Sequence, residues 1–416
     1  MKICYISDVI EGFHEKTGGA GQAARRVLNL LSEQTDLSID VITLPFALNS
    51  PTIKNTFFHK IYSFENYFGK TIGAILTLLI PWNLFIYFKV NRLFREIKPD
   101  VIHLHHFTKL SFSIISAAKR NNIPLIHSIY DYWFLCPTEM MWIPAVGFCK
   151  LGRGKQCRYC LRNRKLGLIQ YLIWFFKKPI FSYFLSQIDQ FIVLSESSKK
   201  ILELSGVSSN CIHTIRIPLN FSKKTLIPTP IPNKLLYAGW IQPHKGLHIL
   251  IQAMNQVIKK VPNTILTIIG SGEENPYYFN NIVSLVNQYK LNSNIVFSKR
   301  KNTEEFNQIF MQSSVIIIPE QWENMSPLLL TEAMAASKPV IAANVGGIPE
   351  LIENNKTGIL FDSQNVTMLA NKIIWALKNP LLMQKMGKNS KFKYDLLFDN
   401  KKILKHLEKE YYSAII

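Results

Sequence analysis

The second half of this 416-residue chain alternates short apolar runs with amphipathic stretches, and that alternation constrains the fold more than any other feature. Residues 234–241 (KLLYAGWI) read as a strand and 246–260 as an amphipathic helix. Further strands are expected at 264–269 (TILTII), 294–297, 315–318, 339–342 and 358–361, and helices over 303–312, from Pro327, and over 366–378. Short apolar runs, each followed by a helix-period stretch, build a parallel, doubly wound sheet. Ligands on such sheets sit at the carboxyl ends of the strands.

The first half repeats the pattern more loosely. Residues 2–7 form a strand, followed by a loop with Gly18, Gly19 and Gly21 and a helix from about Gln22. Strands are expected at 39–44, 101–104, 124–129 and 190–194. The stretch 219–232 (LNFSKKTLIPTPIP) has no periodicity and reads as a linker. It divides the chain into a domain at 1–222 and a second at 223–395, with a helical terminal segment at 396–416.

With 48% hydrophobic residues, 18% charged and mean hydropathy +0.08, the composition is that of a globular protein with ample core. The net charge of +20 suits nucleic acid, an acidic membrane surface or a phosphorylated substrate. The sequence has no helix-turn-helix, zinc-finger or RNA-recognition signature, so nucleic acid is not the expected partner; a merely Lys-rich surface is the plain alternative. The opening MKICYISDVI runs into a strand without the features of a signal peptide, which implies a cytoplasmic chain. Residues 71–88 (TIGAILTLLIPWNLFIYF) are almost long enough to span a bilayer, but Pro81 and Asn83 interrupt them. A second apolar stretch, 166–176 (LGLIQYLIWFF), is flanked by Arg162, Arg164, Lys165, Lys177 and Lys178. Such basic and aromatic neighbours suit the inner face of a membrane, and two core helices with solvated ends would read the same way.

Residues 324–337 (NMSPLLLTEAMAAS) carry the most chemistry. Ser326 is suited to cap a helix that Pro327 begins, with Leu328, Leu329, Ala333 and Met334 on a buried face. Glu332 then projects from an otherwise apolar helix, and the helix start suits an anion such as a pyrophosphate. Upstream lie GGAGQAARRVLNL from Gly18, DVIHLHHF from Asp100, IYDYWFLCP from Ile129 and YAGWIQPHKGLHILIQAM from Tyr237. TIIGSGEE, SSVIIIPEQWEN, GGIPELI from Gly346 and TGILFD complete the set. In this order and spacing they resemble family 4 glycosyltransferases across nearly the whole chain.

The resemblance implies the α/β GT-B fold: two facing Rossmann-like doubly wound domains, with the C-terminal helix returning to the first. It implies a retaining hexosyltransferase that moves sugar from a UDP- or GDP-hexose to a glycan or lipid-linked acceptor in bacterial surface polysaccharide synthesis. Carried onto this sequence, Gly18 and Gly19 approach the donor, Lys245 neutralises its diphosphate, and Glu332 accepts the ribose hydroxyls. Asn324, Met325, Ser326 and Arg300 complete the donor side. Three positions depart from the family. Trp240 follows Gly239 where an Arg is usual, and Asn324, with Glu323 beside it, stands where a second Glu is usual. Tyr130 replaces the His that usually ends the fifth strand, and it is a poor base at neutral pH. His105 and His106 are the acceptor-side candidates. No Asp-x-Asp occurs, which points away from a metal-held diphosphate and to catalysis without a cofactor.

Cys136, Cys149, Cys157 and Cys160 form a separate cluster ending in C-x2-C within a basic stretch, and are a candidate structural zinc site or simply four buried thiols. Two other function classes remain readable. A non-catalytic glycosyltransferase-like subunit would explain Tyr130 and Trp240. A nicotinamide oxidoreductase would explain the glycine turns, but Gly270 and Gly272 lack the third glycine of its fingerprint.

Overall fold

A computed structural model describes residues 1–14, 18–46, 52–143, 147–149, 157–161, 167–218, 230–299 and 301–415. Its strands are β1 (Lys2–Ile6), β2 (Ser38–Thr43), β3 (Thr56–Lys60), β4 (Val101–Leu104), β5 (Leu125–Ser128), β6 (Trp142–Ile143), β7 (Gly147–Phe148), β8 (Gln190–Val193) and β9 (Ile212–Thr214). They continue with β10 (Lys234–Ala238), β11 (Ile265–Ile269), β12 (Ile295–Ser298), β13 (Val315–Ile318), β14 (Val340–Ala343) and β15 (Ile359–Phe361). One parallel sheet has the order β3-β2-β1-β4-β5-β8-β9, and the other β12-β11-β10-β13-β14-β15. β6 and β7 form a small antiparallel hairpin.

The central strands are buried along their whole length: VIHL in β4, VIII in β13 and VIAA in β14. Burial on both faces is what helices on both sides of a parallel sheet produce, and it explains the unbroken apolar runs. Met1–Glu139, Lys150–Leu219 and Phe398–Ile416 form one compact unit, and Met140–Cys149 with Asn220–Leu397 form the other.

The helix Asn400–Ile415 belongs to the first unit. Ile403, Leu407 and Tyr411 are buried in one core cluster with Ile3, Tyr5, Leu28 and Val101. The Tyr411 hydroxyl lies 2.7 Å from His103 Nδ1, and His103 Nε2 lies 2.8 Å from Ser128 Oγ. This polar chain is fully buried, and burial, then the neighbouring His127, lowers the His103 pKa to about 3, so it stays neutral.

The first helix starts at Gly19, three residues before the expected Gln22, because Gly18 is its extended N-cap. Ser326 does not cap its helix: that helix runs Leu328–Ala335 with Pro327 at the N-cap and no side-chain cap bond. Its buried face is Leu330, Thr331, Ala333, Met334 and Ala335, so Leu330 and Thr331 replace Leu328 and Leu329. Ala333 and Met334 stay buried as expected, so the difference is confined to the first turn of the helix.

Candidate active site

In the second unit, the loops after β10, β13 and β14 meet around Glu320. Glu320 follows β13, and its carboxylate is almost wholly buried. Oε1 accepts from Lys245 Nζ at 2.7 Å and from Asn324 Nδ2 at 3.1 Å, and Oε2 from Trp322 Nε1 at 2.5 Å. Three donors offset the desolvation of the carboxylate. Lys245 also lies over the Trp322 ring, 5.2 Å from its centroid. Its neighbour His244 is buried, and burial, then Lys245, lowers the pKa of that imidazole to about 3, so the cation at this point is the ammonium. An ammonium carries three N–H donors, and Glu320 orients it through one.

Close approach of these loops depends on glycine at two positions. Gly246 has φ +71°, and a Cβ there would lie 1.8 Å from the Pro319 carbonyl oxygen. Gly346 has φ +56°, and a Cβ there would lie 2.4 Å from the Asn324 carbonyl oxygen. Gly346 therefore shapes the turn, while Gly347 N–H donates to that same oxygen at 2.9 Å.

Asn324 holds the loop: its Nδ2 reaches Glu320 and its Oδ1 accepts from Ser326 N–H at 3.2 Å. The Met325 side chain is buried, leaving the backbone as the part of that residue suited to a ligand. The Ser326 hydroxyl is buried without a hydrogen-bond partner, which makes it the group here whose bonding capacity is unmet. Glu332 is half-buried on the following helix. Arg300 lies outside the described residues.

In the first unit, the carboxyl ends of β1, β4 and β5 bring a second polar group together. Asp8, which follows β1, is buried and accepts from Lys109 N–H (2.7 Å), Leu110 N–H (3.1 Å) and Thr108 Oγ1 (3.0 Å). His106 lies between two carboxylates, with Nδ1 3.4 Å from Asp8 and Nε2 3.7 Å from Asp131. Burial pulls its pKa down, but Asp8, then Asp131 and Glu139, outweigh that and raise it to about 9. His106 is thus an imidazolium at neutral pH.

Its neighbour His105 behaves oppositely. Burial, with His103 and His127 nearby, holds its pKa well below the usual range. The ring stacks on Tyr5 at 4.0 Å, Nδ1 lies 2.7 Å from the Tyr130 hydroxyl, and Nε2 is buried without a partner. Burial raises the Tyr130 phenol, so it remains protonated. Gly18 and Gly19 open the first helix, and a Cβ at Gly19 would meet nothing within 4 Å.

The structure thus joins Lys245 with Asn324, and Tyr130 with His105, and it adds Asp8, Asp131 and Glu320, which the motifs did not single out. Each of the three stands just past the end of an apolar strand. An acid at that position is the signal that would have found it. Cys136, Cys149 and Cys157 are buried and Cys160 is half-buried. Among the described residues no group of three or more His, Cys, Asp or Glu is placed to hold a metal ion.

The His106 contacts have a pH signature. Its folded pKa near 9 exceeds the ordinary 6.5, so its stabilisation is fully present below pH 6.5 and is lost as pH rises through 9. Urea unfolding of wild type and His106→Gln at several pH values should show a wild-type advantage that shrinks across that window. A constant difference would remove the imidazolium assignment.

A family model described as Glycosyltransferase Family 4 matches residues 18–222, and one described as Glycosyl transferases group 1 matches residues 221–393. YtcC of Bacillus subtilis is 30% identical over 186 residues, covering 44% of this chain and 45% of that one. The N-acetyl-alpha-D-glucosaminyl L-malate synthase of Bacillus anthracis is 29% identical over 182 residues, again covering 44% and 45%. The chain spans about half the length of the curated relatives it matches. Among solved structures, Anabaena HepE in complex with UDP-glucose superposes with a TM-score of 0.70 at 16% identity, covering 99% of this chain and 100% of that one.

Proposed function

This chain belongs to the family 4 type of glycosyltransferases, with the two Rossmann-like domains of the GT-B class, and we propose that it moves a hexose from a UDP- or GDP-sugar, with retention, to a glycan or lipid-linked acceptor. The observation that carries the reading is the Lys245–Glu320 pair beside the unpartnered Ser326 hydroxyl, at the carboxyl ends of β10 and β13. Lys245 keeps two N–H donors for diphosphate oxygens, Ser326 Oγ supplies another polar contact, and Glu332 receives the ribose hydroxyls. HepE, whose structure holds UDP-glucose, and the malate synthase, which is named for a glucosaminyl product, support a nucleotide-sugar donor.

Charge develops on the leaving diphosphate, so the ammonium is the group with most to contribute to the transition state. The acceptor's proton passes to the leaving phosphate, which removes the need for a strong protein base and accommodates Tyr130. In the first unit neutral His105 and the Tyr130 phenol offer hydrogen bonds to hydroxyl groups, and the His106 imidazolium adds positive charge. Surface polysaccharide synthesis in the cytoplasm, without a metal, is the setting in which we place the reaction.

The test is donor turnover by the intact chain with a panel of UDP- and GDP-hexoses, read as release of nucleoside diphosphate. Glu332→Gln should raise the donor KM by roughly 10- to 100-fold, as expected for one lost charge-assisted hydrogen bond of about 1.5–3 kcal/mol. Unchanged donor binding by a folded Glu332→Gln protein would remove that residue from the site. The hydrogen bond already joining Tyr130 to His105 favours a second reading, a donor-binding subunit without transfer. An inert wild type that gains turnover as Tyr130→His would select it.

A further inference from the structure

Three helices of the first unit expose an apolar surface that its own core does not use. The helix Phe64–Leu79 is broken at Gly69 (φ +77°), and after the break Ile72, Ile75 and Leu79 recur at helical spacing, all exposed. The helix Leu84–Ile97 buries Ile86, Val90 and Phe94 but leaves Phe85 65% and Phe88 60% exposed. The helix Gly167–Leu185 exposes Leu172, Phe176 (71%) and Tyr183 (60%).

These stretches adjoin one another. The Tyr67 and Phe85 rings lie 6.2 Å apart, linking the first two helices, and Lys177 Nζ donates to the Leu78 carbonyl, linking the third to the first. Large exposed apolar residues scattered singly need no explanation, but a continuous set of them does.

Charge indicates what covers the surface. The three helices expose Lys70, Lys89, Arg92, Arg95 and Lys178, besides the buried Lys177, against only two acids. Both acids are paired: Glu65 with Lys109 at 2.7 Å, and Glu96 with Arg92 at 2.7 Å. On Leu84–Ile97 the exposed face passes from Leu84, Phe85 and Phe88 to Lys89, Arg92 and Arg95, from rings to cations within three turns. A second copy of this chain would bring the same cations together. An anionic bilayer accepts the rings at its acyl boundary and pairs the cations with its headgroups.

Among the described residues no single helix is long and apolar enough to cross a membrane, and the first two helices meet at 81°. Elements of 16 and 14 residues, sharply bent, fit the plane of a membrane surface better than its thickness. We propose that this face docks the first unit onto a bilayer carrying anionic headgroups. The proposal goes beyond the transfer reaction and does not depend on it, so each can fail alone.

The experiment is co-sedimentation of the full chain with vesicles of equal parts phosphatidylcholine and phosphatidylglycerol, and with vesicles of phosphatidylcholine alone. Wild type should bind the anionic vesicles, with binding weakened by salt. A Phe85→Glu, Phe88→Glu double variant, with circular dichroism and donor turnover unchanged, should bind at least about tenfold more weakly. A Lys89→Glu, Arg92→Glu double variant should lose the preference for phosphatidylglycerol. Wild type that stays in the supernatant with both vesicles, or binding that neither variant alters, overturns the proposal. So does light scattering that finds a dimer which the Phe85→Glu, Phe88→Glu change dissociates, since the face would then be an interface between copies.

Discussion

Replacing Lys245 with Ala should lower kcat/KM for the sugar donor by roughly 10²- to 10³-fold, the range seen when one preorganised transition-state donor is removed. The ammonium is already positioned, 2.7 Å from Glu320 and held over Trp322, so little reorganisation is needed when the diphosphate takes up charge. The loss should appear in kcat as well as KM, because leaving-group charge is greater in the transition state than in the bound donor. Some destabilisation should accompany it: Glu320 would keep Trp322 and Asn324 as donors but lose its cation while remaining buried. Steady-state kinetics and thermal unfolding on the same preparation separate the two effects. A lower Tm with unchanged nucleoside-diphosphate affinity and turnover would make Lys245 a structural partner of Glu320 and nothing more.

The second large effect is expected one residue further on. Gly246→Ala places a methyl group where the Pro319 carbonyl oxygen lies 1.8 Å away, on a residue whose φ of +71° already disfavours a side chain. Left-handed backbone costs about 1–2 kcal/mol for a non-glycine residue, and overpacking a close contact typically adds about 1–3 kcal/mol. Denaturant unfolding should therefore show a loss of about 2–5 kcal/mol. Gly19→Ala, where the added carbon meets nothing within 4 Å, should change stability little. Equal effects of the two substitutions would mean that the loop after β10 yields freely and that its packing on Pro319 does not position Lys245.

Much of this fold could be read before any coordinates. Runs such as VIII and VIAA are short, uniformly apolar and followed by helices, and only a parallel sheet covered on both faces buries them so. The strand TFFHK of β3 escaped notice because it is the edge of its sheet: Phe57 is 64% exposed, so no buried pattern marks it. The helix beginning at Leu328 was legible, but its first residue was not. Ser326 followed by Pro327 fits the rules for a cap and a first helical residue, yet Ser326 N–H is tied to the Asn324 side chain and the helix starts one residue later, with Pro327 in the cap position. Lys245 and Glu332 stand inside motifs and could be named from their neighbours. Glu320, Asp8 and Asp131 were marked only by standing just past a strand end, because each acquires its role from donors or a cation on a different segment: Lys245, Lys109 and His106 respectively.

The place of Tyr411 in the first unit bears on how the protein is made. Its hydroxyl completes the buried His103–Ser128 chain, while the sheet it supports ends in sequence at Thr214. A ribosome adds roughly 5–20 residues per second, so the last strand of that sheet emerges some ten to forty seconds before the helix that seals it. Through that interval the apolar places later taken by Ile403 and Leu407 face solvent. The nascent first domain is then an incomplete fold whose final stabilisation waits on synthesis of the entire second one. Chaperone occupancy on stalled chains, high before residue 400 emerges and low after residue 415, is the profile such an order of assembly should leave.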